Sequence, residues 1–574
     1  LDFSNAFNSL RRDSMLEAVR REVPEILNFC RLAYSTPSWL SFGDKWISSE
    51  MGPQQGDPLG PLLFSLTLHP LLVRLKSDIA FSYLDDVSMG GPANVVEADL
   101  LDFMRDAGDL GLSLNVGKCE VVGSNPVGLP HSFGNFKILK PEECILLGSP
   151  LFEGPAMDDA IEARCIELQR ASSRFHLITA HDALVFLKSC MGACKMLHHL
   201  RSAPCACHPG LEKFDLLIRD ALSRITNSAI GDLEWIQASL PVGRGGLGIR
   251  SVVLLAPSAF LASAAATWAT QFSLLPAGFG LVDDRVSVMT QLWQSRHPLA
   301  FAPLELCSKQ ESWDEASIKA GLEILKSAAS DAHDQARLLA VAAPHAGDWL
   351  NALPISVCGL RLDNEAIRVA VGLRLGLKLC APHACPCGAA VDARGVHGLS
   401  CKRSLGRSIR HSLINDLVVR AMERAKIPAV KEPVGLLRSD GKRPDGATLV
   451  PWHMGRCLAW DVTVSDTLAP SYLPATSKAG GAASELADNR KQLKYVAIRA
   501  SHEFVAIACE TLGPINESGL DFLKKLSRRV SLVTGDVREC TFLLQRLSVL
   551  IQRCNSIAFS GSFCGPVDTD SNSG

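Results

Sequence analysis

Ile79-Ala80-Phe81-Ser82-Tyr83-Leu84-Asp85-Asp86-Val87-Ser88-Met89-Gly90-Gly91 is the stretch on which the fold turns. An apolar run, an acidic tip and a second apolar run predict a β-hairpin. Two aspartates side by side at such a tip raise each other's pKa unless something positive sits between them. Asp-Asp in a turn is commonplace by itself. Outward from it, Leu1-Asp2-Phe3 puts another carboxylate on a short apolar strand, followed by Ser4-Asn5-Ala6-Phe7 and a helix with Leu10, Met15 and Val19 on one face.

Carboxylates from separate strands can hold two Mg²⁺ ions about 3.5–4 Å apart, which activate an attacking 3′-hydroxyl and stabilise a leaving pyrophosphate. Asp2 and Asp85 are the natural shared ligands, with Asp86 in support.

Length and composition frame this reading. The 574 residues suggest about three to four domains. With 47% hydrophobic and 21% charged residues, collagen-like, wholly disordered and coiled-coil classes are excluded. The net charge of −2 hides an asymmetry: 12 Lys/Arg face 20 Asp/Glu up to Glu153, and 24 face 17 from Lys402 onward. A front rich in metal-binding carboxylates and a back that lies on phosphate would produce it, as would ordinary scatter of surface charge. Nineteen cysteines without a signal peptide point to a reducing compartment rather than a disulfide scaffold. The chain begins at Leu1, already inside a motif, and reads as a fragment of a longer protein. Ser251–Val282 carries no charge, but Pro257 and Pro276 interrupt it, so two helices packed inside the protein are expected instead of a membrane span.

Five ordered segments, LDFSNAF (1–7), PQQGDPLGPLLFSL (53–66), YLDD (83–86), GLSLNVGKCE (111–120) and ILLGSPL (145–151), resemble the successive palm motifs of reverse transcriptases, most closely those of non-LTR retrotransposons. The resemblance implies that Asp2, Asp85 and Asp86 are the Mg²⁺-binding catalytic carboxylates. Phe7 would be the aromatic gate against a 2′-hydroxyl, and Gln55 and Gly56 would touch template and incoming nucleotide. Lys118 would assist the pyrophosphate, and Leu147 and Gly148 would lie at the primer grip. A fingers region with its triphosphate-binding basic residues does not precede Asp2 here, so nucleotide binding by this piece should be poor.

Residues 156–250 read as amphipathic helices, with Ile161, Cys165, Leu168 and Ala171 on one face and Leu184, Leu187, Cys190 and Met191 on another. By resemblance they form the thumb. Pro241-Val242-Gly243-Arg244-Gly245-Gly246 is a tight buried turn and not a phosphate loop, since no Lys-Ser/Thr follows. His198, His199, Cys205, Cys207 and His208 form a weak metal pattern more easily read as a connector. Residues 251–378 are a helical linker, with Trp349, Leu350, Leu353 and Leu360 expected in the core.

Cys385-x-Cys387-x9-His397-x3-Cys401 offers four soft ligands in the paired spacing of a tetrahedral Zn²⁺ site, with Cys380 and His383 in reserve. Gly388 suits the turn of such a knuckle, assigned to residues 379–402. Arg407–Lys426 reads as a helix. Beyond it, Arg443-Pro444-Asp445 and a strand carrying Asp461 could bring two carboxylates to one divalent metal. Lys491 and Lys494 share one face of a helix that also holds Glu485 and Tyr495. Two acids and a lysine suit metal-assisted phosphodiester hydrolysis.

Following a reverse transcriptase and a knuckle, that pattern resembles the restriction-enzyme-like endonuclease of site-specific non-LTR retrotransposons. The resemblance implies Asp445 and Asp461 as Mg²⁺ ligands and Lys494, or Lys491, as the catalytic lysine. Thr463 stands where many such nucleases have lysine, and Glu485 is a further candidate acid.

The expectation is thus an α+β multidomain chain: palm 1–155, thumb 156–250, linker 251–378, knuckle 379–402, nuclease 403–515, a helical segment 516–559 and a disordered tail 560–574. Its implied partners are template RNA, target DNA and dNTPs, with no membrane, in an intracellular and finally nuclear setting. The implied activity is target-primed reverse transcription. Three rivals stand against it: a decayed or domesticated nucleic-acid-binding protein without catalysis, a nuclease using the palm only as scaffold, and, more weakly, a telomerase-like enzyme.

Overall fold

The computed structural model describes residues 1–123, 129–276, 283–303, 307–436 and 441–563. The chain is a mixed α/β protein, mainly helical, with small sheets.

The N-terminal unit is built on helix α1 (Arg12–Glu22), hairpin β1 (Ser38–Phe42) and β2 (Lys45–Ser49), helix α2 (Gly60–Leu72), hairpin β3 (Ile79–Tyr83) and β4 (Asp86–Gly90), and helix α3 (Ala93–Asp109). Met15 and Val19 recur at helical spacing on α1 and are fully buried with Leu10, Leu63, Phe64 and Phe103. The segment Leu1–Phe3 lies between β4 and residues 113–115. The Leu1 nitrogen donates to Val87 O at 2.7 Å, and the Asn115 amide donates to Asp2 O at 2.8 Å. Asp99 on α3 accepts the amides of Lys76 and Ser77 at 2.8 and 2.6 Å, which ties down the entry to β3.

The middle of the chain is helical. Helices α4 (Pro155–Ser172), α5 (Pro209–Thr226), α6 (Val252–Leu274) and α7 (Asn364–Leu375) contribute to one continuous core running from Met157 to Leu377. Packing therefore does not break at residue 250, where a thumb–linker boundary was expected. The uncharged stretch forms one helix, α6, in its described part. It is long and apolar enough by length and composition to cross a membrane, but Val252–Ala262 is largely buried in the core. Pro257 lies inside it. Proline has no N–H for the carbonyl four residues back, Val253, and Arg296 Nη1 supplies that hydrogen bond at 2.9 Å. Trp349, Leu350 and Leu360 are core as expected, whereas Leu353 is 59% exposed. The 241–246 turn is pinned by the buried Arg374, which donates to Gly246 O at 3.0 Å and Val242 O at 2.8 Å.

The C-terminal unit is a four-stranded sheet with helices on both faces. Helix α8 (Leu405–Arg424) is followed by β5 (Ala429–Lys431), β6 (Gly446–His453), β7 (Arg456–Ser465), helix α9 (Ala482–Lys494), β8 (His502–Glu510), α10 (Glu517–Thr534) and α11 (Glu539–Ser560). The strand order is β5-β6-β7-β8, antiparallel except for the parallel β7–β8 pair that α9 connects. A parallel pair is covered on both faces, so β8 reads as a continuous apolar run from Phe504 to Cys509. Leu458, Trp460 and Val462 face α8, α10 and α11, and Ala459 and Ala506 face the opposite layer with Tyr495.

Helices α10 and α11 thus belong to the same packed body as the sheet and are not a separate segment after residue 515. At the expected tail, Phe563 stacks on His383 with ring centroids 4.2 Å apart, so residues 560–563 are packed; residues 564–574 lie outside the described residues.

Candidate functional sites

In the N-terminal unit, Tyr83 pairs with Asp86 across the hairpin, which leaves Leu84-Asp85 as a two-residue turn. Leu84 has φ +57°, a left-handed conformation that a branched side chain rarely adopts and that clusters at functional turns. Asp86 opens β4 beside the Leu1–Phe3 segment, so the hairpin tip and Asp2 share one end of the small sheet. Partial burial first, then the charges of Asp85 and Asp2, push the Asp86 carboxyl above its usual range. An open cleft of about 530 Å³ lies here, lined by Asp2, Asp86, Lys118, Leu147 and Gly148 together with Lys137. Those first five come from four separate sequence segments. The hard oxygen donors of Asp2, Asp85 and Asp86 suit Mg²⁺. Phe7 stacks on Phe64, with centroids 4.6 Å apart and planes 13° from parallel. Gln55 and Gly56 are exposed on the loop before α2, where φ of +90° at Gly56 requires glycine.

In the C-terminal unit four elements converge. The Asp445 amide donates to Trp460 O at 2.9 Å, and the Val462 amide donates to Asp445 Oδ2 at 2.6 Å. Asp445 therefore lies against the strand position next to Asp461, whose side chain is buried and ion-paired with Lys491. Lys494, one turn on, donates to the Tyr495 hydroxyl at 2.8 Å, and Tyr495 donates to Arg443 O at 2.9 Å. Of the two lysines, Lys491 is the one in contact with a predicted metal-binding carboxylate. Thr463 is half-buried two residues beyond Asp461. Glu485 is turned away: its carboxylate accepts the Glu517 amide at 2.8 Å and caps α10.

Sequence reasoning missed two members of this cluster. His411 Nε2 lies 2.9 Å from Asp445 Oδ2, and Asn415 donates to Asp445 O at 3.1 Å while accepting the Trp460 indole N–H at 2.9 Å. The hydrogen bond to Asp445, with the charges of Asp445 and Asp461, raises the His411 pKa against partial burial. Residues 411 and 415 stand four apart on α8, a spacing that places them on one face and was the available signal.

The sulfur–imidazole site is local. Cys385, Cys387, His397 and Cys401 bring their ligand atoms within 4.8 Å of one another. Cys385 Sγ is 3.7 Å from Cys401 Sγ, and Cys387 Sγ is 3.2 Å from His397 Nε2. The Gly388 amide closes the turn on Cys385 O at 2.8 Å. The backbone amide of Ala389 first, then the neighbouring side chains, hold the Cys387 thiol down to about 6, whereas burial pushes Cys385 up to about 11. Three thiols and an imidazole at this spacing could hold Zn²⁺.

Cys380 donates instead to Asp392 O at 3.4 Å, and His383 Nε2 lies 3.2 Å from Ser562 Oγ. The 198–208 residues do not close on a common point. His198 contacts Leu147 O at 3.0 Å, and His208 contacts Asp158 at 2.8 Å.

No family model matches the chain. Over 140 residues, 21% of this chain, it is 33% identical to the Retrovirus-related Pol polyprotein from type-2 retrotransposable element R2DM of Drosophila melanogaster. Over 145 residues, 22% of the chain, it is 28% identical to the Retrovirus-related Pol polyprotein from type-1 retrotransposable element R2 of Nasonia vitripennis. The matched segments span 13% and 14% of those proteins' length. The chain is thus related to retrotransposon Pol polyproteins.

Proposed function

We propose that the chain carries the RNA-directed DNA polymerase site of a non-LTR retrotransposon together with a DNA-nicking endonuclease that makes the primer, which is target-primed reverse transcription. The observation that carries this reading is the cleft that gathers Asp2, Asp86, Lys118, Leu147 and Gly148. Relatedness to R2 Pol polyproteins supports it.

Asp2, Asp85 and Asp86 would hold Mg²⁺ at the polymerase site. When bound, Mg²⁺ lowers the pKa of a coordinated hydroxyl and neutralises charge developing on phosphate. Lys118 lines the same cleft and would offset charge on the departing pyrophosphate, and the Leu147-Gly148 turn would offer backbone to the primer strand. Phe7, stacked on Phe64, would act as a steric gate below the sugar.

At the second site Asp445 and Asp461 would hold the divalent ion. Lys491, rather than Lys494, would position water or offset phosphate charge, because it already reaches Asp461. His411 and Asn415 orient Asp445. The Cys385-Cys387-His397-Cys401 knuckle would hold Zn²⁺ as a structural element beside the DNA-directed unit, with genomic DNA in the nucleus as its target and template RNA and dNTPs as polymerase substrates.

A crossed pair of variants tests the assignment. Primer extension on an RNA template should be lost in Asp85→Ala while nicking of supercoiled DNA persists, and Asp461→Ala should show the reverse. Each loss should reach at least about a hundredfold, the scale expected when a charge-stabilising group is removed from an active site. Extension equal in wild type and Asp85→Ala would overturn the polymerase assignment. Nicking equal in wild type and Asp461→Ala would overturn the nuclease assignment.

A further inference from the structure

We propose that the foot of the C-terminal sheet is a second nucleic-acid contact: a two-lobed basic cleft that grips backbone phosphates of duplex DNA away from the nicking cluster. It rests on the reading of this unit as DNA-directed, but it uses none of the metal-binding residues.

Two adjoining clefts of about 330 and 250 Å³ open where β6 turns into β7, and they share Trp452, Glu503 and Lys525. Arg456 and Arg499 line the first, and Arg528 and Arg529 the second. Five cations therefore surround two acids, Glu503 and Asp521. Asp521 pairs with Lys525 at 2.8 Å, whereas Glu503 lies 3.8 Å from His453 Nδ1 and its Oε2 is buried without a hydrogen-bond partner, so the five cations exceed the acids by three. Among the described residues the guanidiniums of Arg456, Arg499 and Arg528 have no carboxylate within ion-pair distance, and Arg456 reaches only the backbone oxygen of Arg499, at 3.5 Å. Cations that outnumber the acids in a recess repel one another, and a polyanion relieves that repulsion.

The walls are rigid enough to present them. The Arg529 guanidinium sits 3.6 Å over the Trp452 ring and donates to Trp452 O at 2.7 Å. Trp452 is itself buried against Phe522. Lys525 and Arg528 stand three apart on α10 and so share its outer face. Planar guanidiniums match phosphate oxygens in pairs, which suits arginine-lined recesses to a phosphodiester backbone.

The two lobes share Trp452, Glu503 and Lys525 and so form one continuous recess long enough for successive backbone phosphates. Arg456 lies five residues along β7 from Asp461, about 16 Å at the rise of a strand and on the opposite face of the sheet. DNA bound here is therefore held at a contact separate from the Asp461 cluster.

The test is binding of a fluorescein-labelled 30-base-pair duplex of arbitrary sequence to the full chain, read by fluorescence anisotropy across a salt series with Mg²⁺ omitted. Each phosphate contact contributes about 0.9 to the slope of log K against log salt, or roughly fivefold in affinity at 0.15 M salt. The combined Arg456→Gln, Arg499→Gln and Arg528→Gln variant should flatten the slope by about 2.7 and weaken binding about a hundredfold. The matched lysine triple should keep the wild-type slope. Lys213→Gln, Lys319→Gln and Lys326→Gln, exposed lysines far along the chain, should change neither quantity. Arg528→Gln alone, on the solvent side of α10, gives a slope loss of about 0.9 even if the triple variant misfolds.

An unchanged slope in Arg528→Gln and in the triple, or an equal loss in the remote lysine triple, overturns the proposal. So does a loss confined to single-stranded RNA. Flattened slopes in a chain that nicks nothing would keep this contact and reject the nuclease; nicking with unchanged slopes would do the opposite.

Discussion

His181 is 1% exposed, its Nδ1 accepts the Leu362 amide at 3.0 Å, and burial drives its pKa down to about 4. The unfolded chain binds this proton near pH 6.5, so the folded state holds fewer protons between those values. Its contribution is therefore complete above about pH 6.5 and is lost as pH falls toward 4, by about 3 kcal/mol in all. His181→Asn keeps an acceptor at the Nδ1 position and does not titrate. Urea unfolding from pH 7.5 to 4.5 should show the wild type losing stability relative to the variant across that window, and parallel curves would refute the linkage. Side chains of this kind separate what a sequence displays from what it hides. Asp445 and Asp461 were legible because a hairpin makes residues 16 apart neighbours, with Gly446 opposite Trp460. The choice between Lys491 and Lys494 was not, since both lie on one face of α9 and only the axial position of the helix over the sheet decides which reaches Asp461. His411 comes from 34 residues upstream of Asp445, and its spacing with Asn415 marks a shared face of α8 without telling which carboxylate that face meets.

Strand register carries the next consequence. Gly446 opens β6 directly after Asp445, and a Cβ placed there would sit 2.0 Å from Trp460 Cζ2. Trp460 is fully buried and anchored by Asn415, so it has nowhere to turn. Gly446→Ala should therefore cost about 1–3 kcal/mol in urea unfolding, the range for overpacking a close-packed core. It should also reduce nicking by moving Asp445 off the Val462 amide. Full stability with full nicking would show that β6 can shift without consequence. Elements with a clean period were readable in advance: α1, α4 and α8 follow their apolar faces, and the β3–β4 hairpin follows its acidic tip. The parallel partner β8 escaped notice, because an apolar run buried on both faces has no alternation to detect. The expected break of α6 at Pro257 does not occur for a reason outside the helix, the guanidinium of Arg296 on the Val253 carbonyl.

At the scale of the molecule, α11 binds the parts together, and the sulfur–imidazole site is braced on it. Residues of α11 enter the core of the C-terminal sheet through Leu547 and Ile551, and the helical core through Val549. Ser548 Oγ also accepts the Trp349 amide at 3.1 Å, and Arg553 donates to Arg361 O at 2.8 Å. The loop and short helix that carry His397 lie against the end of the same helix: a Cβ at Gly395 would meet the Phe559 ring at 2.2 Å, and one at Gly398 would meet Ala558 O at 2.5 Å. Nothing in the spacing of four ligands foretold that brace, nor that α10 and α11 complete the unit begun at α8, because both depend on contacts between distant segments. Metal removal should therefore be felt well beyond the knuckle. The chain should hold one zinc ion, and chelation or Cys401→Ser should release it and lower the cooperative melting transition, since metal affinity is folding free energy where the ligands order only with the ion. Protease cleavage should open first near residues 383–403 and then within α11, while residues 1–123 resist it. A chain stripped of zinc that melts and digests as before would mean that hydrogen bonds alone hold the knuckle, and that α11 needs no support from it.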